Sequence, residues 1–189
     1  MNNTKRKNTE NSESPQKKQK QQTSSKNEQP PLSLQLNPSF ADPAFVKQQH
    51  GLFSDAQPFR HIALRDFLSS VDDQTTTDNE LNRVIKAIQS EETFFRKKND
   101  LYDFFQSDDL KLTQASVLQQ LRDLIYAPAT VQLVQDISGV SGLSCDKIDL
   151  TSSVYLDGGY LLCHDDRLES RKIAFILYLV DDDWNAQDG

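Results

Sequence analysis

The residues with the most evident chemistry in this 189-residue sequence are His164 and Asp166, in the stretch CHDD between two apolar segments. On an extended strand, residues two positions apart point to the same face, about 6.5–7 Å apart along the chain. Their side chains can therefore converge on one ion, while Asp165 points the other way. An imidazole and a carboxylate are two-thirds of the facial triad that binds Fe(II). A polar strand end with two solvated Asp side chains also explains this short pattern, which often arises by chance.

Composition divides the chain near residue 33. Residues 1–33 are basic, contain almost no apolar side chains and are rich in Lys, Asn, Gln and Ser, which predicts a disordered tail. Basic clusters at residues 5–7 and 17–20 resemble a bipartite nuclear localisation signal. A solvated tail with no specific role also explains them, and weak, salt-sensitive contact with RNA or the ribosome is a third interpretation. The whole chain has a net charge of −7 although its tail is basic, so the acidity lies on residues 34–189, which argues against a broad nucleic-acid surface there.

The two cysteines, Cys145 and Cys163, form no CxxC pair, which indicates neither a disulfide framework nor a zinc ribbon. They are expected to be reduced thiols. No apolar run approaches the length of a membrane span, and the N-terminus lacks the apolar core of a signal peptide. The sequence therefore predicts a soluble, intracellular protein with no membrane partner.

Apolar residues at helical spacing predict four helices between residues 42 and 139. Asp42 caps the first helix, which has Pro43 at its first position and stops near Gly51 or shortly after. Asp78 caps the second, whose core stripe comprises Leu81, Val84, Ile85 and Ile88. The other two helices cover residues 114–126 and 130–137, the latter closed by Gly139. Alternation over residues 58–64 predicts a short strand, and residues 94–110 predict an aromatic segment packed on one side.

Beyond residue 147 the apolar period changes from 3.6 to 2. This pattern predicts strands over residues 147–156, 160–163 and 172–180, with a turn at 157–159 and a loop at 167–171. The third strand is apolar on both faces, which predicts that it is buried on both sides. Helices followed by a β region indicate an α+β fold.

Residues 155–180 resemble the Fe(II)/2-oxoglutarate dioxygenases of the prolyl hydroxylase group, through "CHDD" followed by "RKIAFILYLV". More narrowly, the chain is similar to the eukaryotic family that hydroxylates a proline of a small-subunit ribosomal protein. Three further segments carry that similarity, which runs from about residue 38 to residue 189: "PFRHIALRDFL", "KNDLYDFFQSDDL" and "DISGVSGL".

The resemblance implies roles for four residues. His164 and Asp166 match the first two iron ligands of the family, and Tyr155 and Tyr178 match positions that line the 2-oxoglutarate pocket. An amphipathic aromatic side chain at a strand end, with its hydroxyl on water or backbone, explains each tyrosine equally simply. The QSDDL stretch either shapes the mouth of the site or forms a capped turn. The implied cofactors are Fe(II), 2-oxoglutarate as cosubstrate and ascorbate, in an enzyme linked to translation in the nucleus and cytoplasm.

The sequence departs from the family pattern after residue 171. The family requires a second His downstream of the HxD motif and an Arg for the distal carboxylate of 2-oxoglutarate, whereas the three His here are His50, His61 and His164, and no Arg follows Arg171. Residues 34–189 are therefore expected to be the N-terminal part of a dioxygenase domain, with only the first strands of a double-stranded β-helix, or jelly roll. Such a truncated chain should bind iron weakly and should not turn over 2-oxoglutarate. The alternatives are a non-catalytic interaction module and a ribosome- or RNA-associated protein derived from the family.

Overall fold

A computed structural model describes residues 30–72, 74–166 and 170–180. Most of the predicted tail and most of the predicted loop therefore lie outside the described residues.

The first helix begins where its capping residue predicts. Helix α1 spans Pro43–Asp55, and the carboxylate of Asp42 accepts a hydrogen bond from the Ala44 amide at 2.9 Å, as predicted. The helix continues through Gly51 to Asp55, because open space surrounds Gly51 and nothing there forces a stop.

Helix α2, Thr77–Glu91, begins two residues earlier than a cap at Asp78 predicts. The hydroxyl of Thr76, and not the carboxylate of Asp78, accepts the capping hydrogen bond, from the Asn79 amide at 3.2 Å. The prediction that Asp78 caps this helix was therefore wrong. Asp78 instead lies in the first turn, where a negative charge favours the partial positive charge of the helix N-terminus.

The next two helices confirm the spacing-based predictions. Helix α3 spans Ser116–Tyr126 and helix α4 spans Pro128–Ser138. Gly139 ends α4 in the left-handed conformation, with φ of 69°, and its amide bonds to the Gln135 carbonyl at 2.8 Å. Glycine adopts this conformation without the steric cost that a Cβ imposes.

The hydrophobic core lies mainly among α2, α3 and α4. Val84, Val117 and Leu118 are its most deeply buried side chains, and Phe67 and Leu68 extend it toward the N-terminal strands. Half-buried side chains from α1, such as Val46 and Phe53, pack against the same cluster. In the part of the chain that the structure describes, no helix is both long and apolar enough to cross a membrane.

The predicted strand over residues 58–64 was wrong. The structure places the strand further on, where β2 (Leu68–Ser70) pairs antiparallel with β1 (Leu34–Leu36). Ile62 and Leu64 pack against the core while Phe59 and His61 are exposed, so the segment does have an inner and an outer side. Residues 58–64 nevertheless pair with no described strand, and without ladder hydrogen bonds they do not form one.

The larger sheet is built on β4 (Tyr102–Ser107). Strand β3 (Phe94–Lys98) pairs antiparallel with it along its length, and two short strands, β5 (Ser153–Val154) and β6 (Tyr160–Leu161), pair with its other side. The sequence predicted longer strands here, over residues 147–156 and 160–163, of which only these short parts pair. Between them, the predicted turn has Gly158 at φ of 73°. A Cβ on Gly159 would lie 3.0 Å from the Asp103 carbonyl oxygen, so only glycine lets the turn approach β4 this closely.

Residues 172–180 form no strand, contrary to the prediction. Leu177 and Leu179 pack on the core, and the Phe175 ring lies 5.7 Å from that of Phe67. The alternate side chains face outward: Ile176 is 63% and Tyr178 is 69% exposed. A segment apolar on both faces is buried on both only where two layers cover it, and the described residues supply one layer. The α+β class is confirmed, and the jelly roll stays a prediction.

Candidate functional site

The side chains of His164 and Asp166 converge, as the sequence predicted. Nε2 of His164 lies 3.2 Å from Oδ1 of Asp166. The route to this arrangement differs from the prediction, because both residues lie beyond β6 and are not on a strand. Asp166 has φ of +50°, a left-handed conformation that Asp adopts more readily than most residues. A turn of the backbone, and not the two-residue period of a strand, brings the two side chains together.

The imidazole of His164 is oriented by its other nitrogen. Nδ1 lies 2.8 Å from the Leu162 carbonyl oxygen, which can only accept, so Nδ1 carries the proton and donates it there. In the neutral imidazole Nε2 then keeps its lone pair, which can bind a cation, and such a contact of the other nitrogen is typical of metal-binding histidines. The Leu162 carbonyl, followed by the charge of Asp166, a hydrogen bond to the Asp166 carboxylate and the charge of Asp165, raises the pKa of His164.

The His164–Asp166 pair fits a metal ion. An octahedral cation that binds ligands at about 2.1 Å holds neighbouring ligand atoms about 3 Å apart, close to the 3.2 Å that separates the two side-chain atoms. A third ligand is not found: among residues 30–72, 74–166 and 170–180, no group of three or more His, Cys, Asp or Glu side chains could hold a metal ion. His50 and His61 lie elsewhere, on the Ile137 and Phe59 carbonyls respectively.

Arg171 is a neighbour of Asp166 that the sequence reasoning assigned only to a loop. Its Nη1 atom lies 3.5 Å from Oδ1 of Asp166 and 3.3 Å from the Asp166 carbonyl oxygen. Both side chains are partly exposed, so solvent screens the ion pair and its contribution to stability is small. The effect of this ion pair is geometric, because Arg171 contacts both the backbone and the carboxylate of Asp166, whose φ is positive.

Tyr155 is linked electrostatically to both Asp166 and Tyr178. Burial raises the pKa of Tyr155, and the charges of Tyr178 and Asp166 raise it further. Tyr155 stacks on Phe104, with ring centroids 5.2 Å apart and an interplanar angle of 23°. Within the described ranges, neither tyrosine hydroxyl has a hydrogen-bond partner, so the phenols remain available to a ligand.

Phe104 was missed by the sequence reasoning. The alternation of YDFFQS places Phe104 on one face of β4 with Tyr102, whose ring makes an edge contact with it at 5.5 Å, but it does not show the contact with Tyr155. The QSDDL stretch forms the capped turn that was the alternative to a role at the site. The carboxylate of Asp109 accepts from the Lys111 amide at 2.8 Å, at the start of a 3₁₀ turn, Leu110–Leu112.

Comparison with known proteins relates the chain to an oxygenase family. Residues 150–189 match the family described as the 2OG-Fe(II) oxygenase superfamily. The chain is 39% identical over 127 residues to the mouse (Mus musculus) protein named prolyl 3-hydroxylase OGFOD1, covering 67% of this chain and 21% of the relative.

Two further relatives have similar names. The prolyl 3-hydroxylase OGFOD1 of Xenopus laevis is 35% identical over 136 residues, which cover 71% of this chain and 24% of that protein. The prolyl 3,4-dihydroxylase OGFOD1 of Ostreococcus tauri is 30% identical over 162 residues, covering 80% and 29%. The chain thus spans about a fifth to three-tenths of the length of these relatives. Over the stretch it shares with them, the chain is similar to these prolyl hydroxylases, and its residues 150–189 match the 2OG-Fe(II) oxygenase superfamily.

Proposed function

We propose that this protein contributes the first two metal ligands and part of the 2-oxoglutarate pocket to an Fe(II)-dependent hydroxylase of prolyl residues. The observation that carries the proposal is the convergence of His164 Nε2 and Asp166 Oδ1 to 3.2 Å. The charges of Asp166 and Tyr178 both act on Tyr155, which links that tyrosine to the pair. The relatives named as prolyl hydroxylases support the same reaction.

Each of the four residues has a separate task. His164 presents the lone pair of Nε2, because its Nδ1 proton is donated to the Leu162 carbonyl. Asp166 supplies a negative charge that partly offsets the charge of a divalent cation. The hydroxyls of Tyr155 and Tyr178 donate hydrogen bonds to a carboxylate of 2-oxoglutarate.

The bound groups supply the oxidation. Iron and 2-oxoglutarate together provide the oxidising power that inserts one oxygen atom of O₂ into a prolyl C–H bond, while 2-oxoglutarate becomes succinate and carbon dioxide. The protein's part is to hold them at fixed positions. The raised pKa of Tyr155 keeps its phenol protonated at neutral pH, and a protonated phenol is a hydrogen-bond donor.

The test is a hydroxylation assay with the full-length natural protein, a proline-containing peptide, Fe(II), 2-oxoglutarate and ascorbate. We expect the peptide to gain the mass of one oxygen atom on proline, with one succinate formed for each hydroxylation. His164→Ala should abolish both products. His61→Ala is the matched control, since the His61 ring makes the same contact, 2.8 Å, to the carbonyl two residues earlier but lies away from the site. Wild-type protein that releases no succinate would overturn the proposal.

The substrate we propose is a prolyl residue of a small-subunit ribosomal protein, and ascorbate keeps the iron reduced. The substrate is supported by the similarity of motifs such as CHDD to the family with that activity. We also propose contact with the ribosome or RNA and residence in nucleus and cytoplasm, which the basic clusters at residues 5–7 and 17–20 support. Peptides from ribosomal proteins, compared with unrelated prolyl peptides in the same assay, separate this substrate from others.

A non-catalytic interaction module is the second candidate function. The observation that favours it is a set of large apolar side chains left exposed between residues 156 and 180: Leu156, Leu162, Ile176 and Val180. Exposed apolar side chains that form one surface mark interaction sites. A protein that binds a partner equally well with and without His164 and Asp166, and that forms no succinate, would favour this function over the hydroxylase.

A further inference from the structure

We propose that Phe104 is a positioning residue that holds the phenol of Tyr155 in place for the carboxylate of 2-oxoglutarate. The proposal deepens the proposed function and rests on it. It assigns to β4, far upstream of the CHDD motif, a part in cosubstrate binding. Phe104 itself need not touch 2-oxoglutarate, because it acts through the ring on which it stacks.

The first argument comes from the register of the sheet. Phe105 pairs with Val154 and Gln106 pairs with Ser153, so one further step in the same register places Phe104 opposite Tyr155. Side chains directly opposite on antiparallel strands lie on one face and contact each other. The observed stack, at 5.2 Å and 23°, is this cross-strand pair.

The second argument is that β4 changes partner at Phe104. Phe105 and Gln106 pair with β5, whereas Tyr102 and Asp103 pair with β6. Phe104 lies between the two ladders, and strand β5 ends at Val154, one residue before Tyr155. The backbone of Tyr155 is therefore not held by ladder hydrogen bonds to β4, and the Phe104 ring is what fixes its side chain.

The third argument is the surroundings of Tyr155. Tyr155 is 47% exposed, so much of its ring faces solvent and is not held by packing. Within the described ranges, its hydroxyl bonds to no other group. Phe104 is itself braced by the edge of the Tyr102 ring, at 5.5 Å. The result is a row of three rings that ends at the phenol beside Asp166.

The experiment measures 2-oxoglutarate binding by calorimetry, using the full-length natural protein with Mn(II) in place of Fe(II). We expect Phe104→Ala to raise the Kd for 2-oxoglutarate about 2- to 10-fold, the range that a lost aromatic pair accounts for, and to leave the Kd for Mn(II) unchanged. Phe104→Tyr, which keeps a stacking ring, should restore wild-type affinity.

Phe105→Ala is the matched control, because Phe105 is a half-buried ring on the same strand that points to the opposite face. It should leave the Kd for 2-oxoglutarate at the wild-type value. Equal affinity of Phe104→Ala and wild type would overturn the inference. So would a loss of 2-oxoglutarate affinity in Phe105→Ala as large as in Phe104→Ala, since that result would indicate general damage to the sheet.

A second readout does not depend on ligand binding. Tyrosine-labelled protein, with the Tyr155 signal assigned by its loss in Tyr155→Phe, should show a ring-current shift that disappears in Phe104→Ala. An unchanged Tyr155 signal would overturn the positioning role. Wild-type protein that shows this shift but binds no 2-oxoglutarate would instead overturn the proposed function, so the two failures are distinguishable.

Discussion

Arg171 contacts Asp166 at two points, through the carbonyl oxygen at 3.3 Å and through Oδ1 at 3.5 Å. Asp166 has a left-handed backbone, which costs free energy for a residue with a Cβ. The contacts from Arg171 favour this conformation over an extended one. The carboxylate is therefore held on the side of His164 before any cation arrives, and less ordering remains to be done on binding.

The first prediction concerns this carboxylate. Asp166→Asn in the full-length protein should weaken Mn(II) binding at least about tenfold, because a neutral amide is a poorer ligand for a divalent cation than a carboxylate. Asp165→Asn removes the same charge one position away and serves as the control. Calorimetric titration of Mn(II) gives both affinities. Equal losses in the two variants would mean that the site attracts the ion through net charge, without coordination by Asp166.

The second prediction concerns the 189-residue chain by itself. It should release no succinate above a protein-free control when given Fe(II), 2-oxoglutarate and a prolyl peptide. The facial triad that the family resemblance implies needs a second His after the HxD motif, and none of the three histidines in this sequence follows His164. Two ligands hold iron too weakly for turnover at ordinary metal concentrations. Steady succinate release by the purified chain would contradict this expectation.

The helices could be predicted from the sequence because their signals are local. Capping residues, a Pro at the first position and apolar side chains at three- and four-residue spacing all lie within one segment. Asp42 and Gly139 fix one end each of α1 and α4 in this way. The one displaced cap, Thr76 in place of Asp78, reflects two suitable residues within one turn.

The strands could not be placed equally well because a strand needs a partner from elsewhere in the chain. Of the predicted strand at residues 147–156, only Ser153–Val154 pairs, since β4 offers it two positions before turning to β6. Residues 172–180 have a strand's apolar pattern, and some of their side chains pack on the core, but no described strand pairs with them. A periodic pattern records what a segment can bury and does not show whether a partner is there.

Some features of the candidate site could likewise be predicted from the sequence, and others could not. The types and spacing of His164 and Asp166 could be read directly from the sequence, as could the two tyrosines through the family resemblance. The positive φ of Asp166 and the contacts of Arg171 could not, because they depend on the path of a loop. Phe104 was missed because the sheet register that brings it opposite Tyr155 is non-local.

The third prediction concerns Glu80, a buried carboxylate in the first turn of α2. It accepts hydrogen bonds from the Ser33 amide at 2.8 Å and from Arg83 at 2.7 Å, and Arg83 also donates to the carbonyls of Pro30 and Pro31. Glu80→Ala should lower the free energy of unfolding by about 1–3 kcal/mol, because the buried donors lose their acceptor. Urea unfolding of the two proteins measures the difference.

Asp78→Ala is the control for this variant, since Asp78 is an exposed acidic residue in the same helical turn. It loses only its interaction with the helix N-terminus, about 0.3–1 kcal/mol. A Glu80→Ala protein no less stable than Asp78→Ala would show that the contacts to Ser33 and Arg83 do not stabilise the fold.

The last prediction concerns the pH dependence of the β3–β4 hairpin. The Asp103 side chain is 12% exposed and lies 2.8 Å from Arg96 and 2.6 Å from Lys98. Hydrogen bonds from Arg96 first, then from Lys98, hold the pKa of Asp103 well below its usual range. A carboxyl group with a lowered pKa in the folded state stabilises that state above its unfolded pKa, which is about 3.9, and loses this contribution as the pH falls through the folded pKa.

Wild-type protein should therefore have a higher Tm than Asp103→Asn at pH 6. The difference should begin to shrink below about pH 4, where an unpaired Asp starts to take up protons. Thermal unfolding followed by circular dichroism between those pH values and the acid limit of folding measures it. Asp100→Asn, at an exposed position between β3 and β4, is the control for a change in net charge. A difference in Tm that stays constant as the pH falls would mean that Asp103 acts through its shape and hydrogen bonds alone, without its charge.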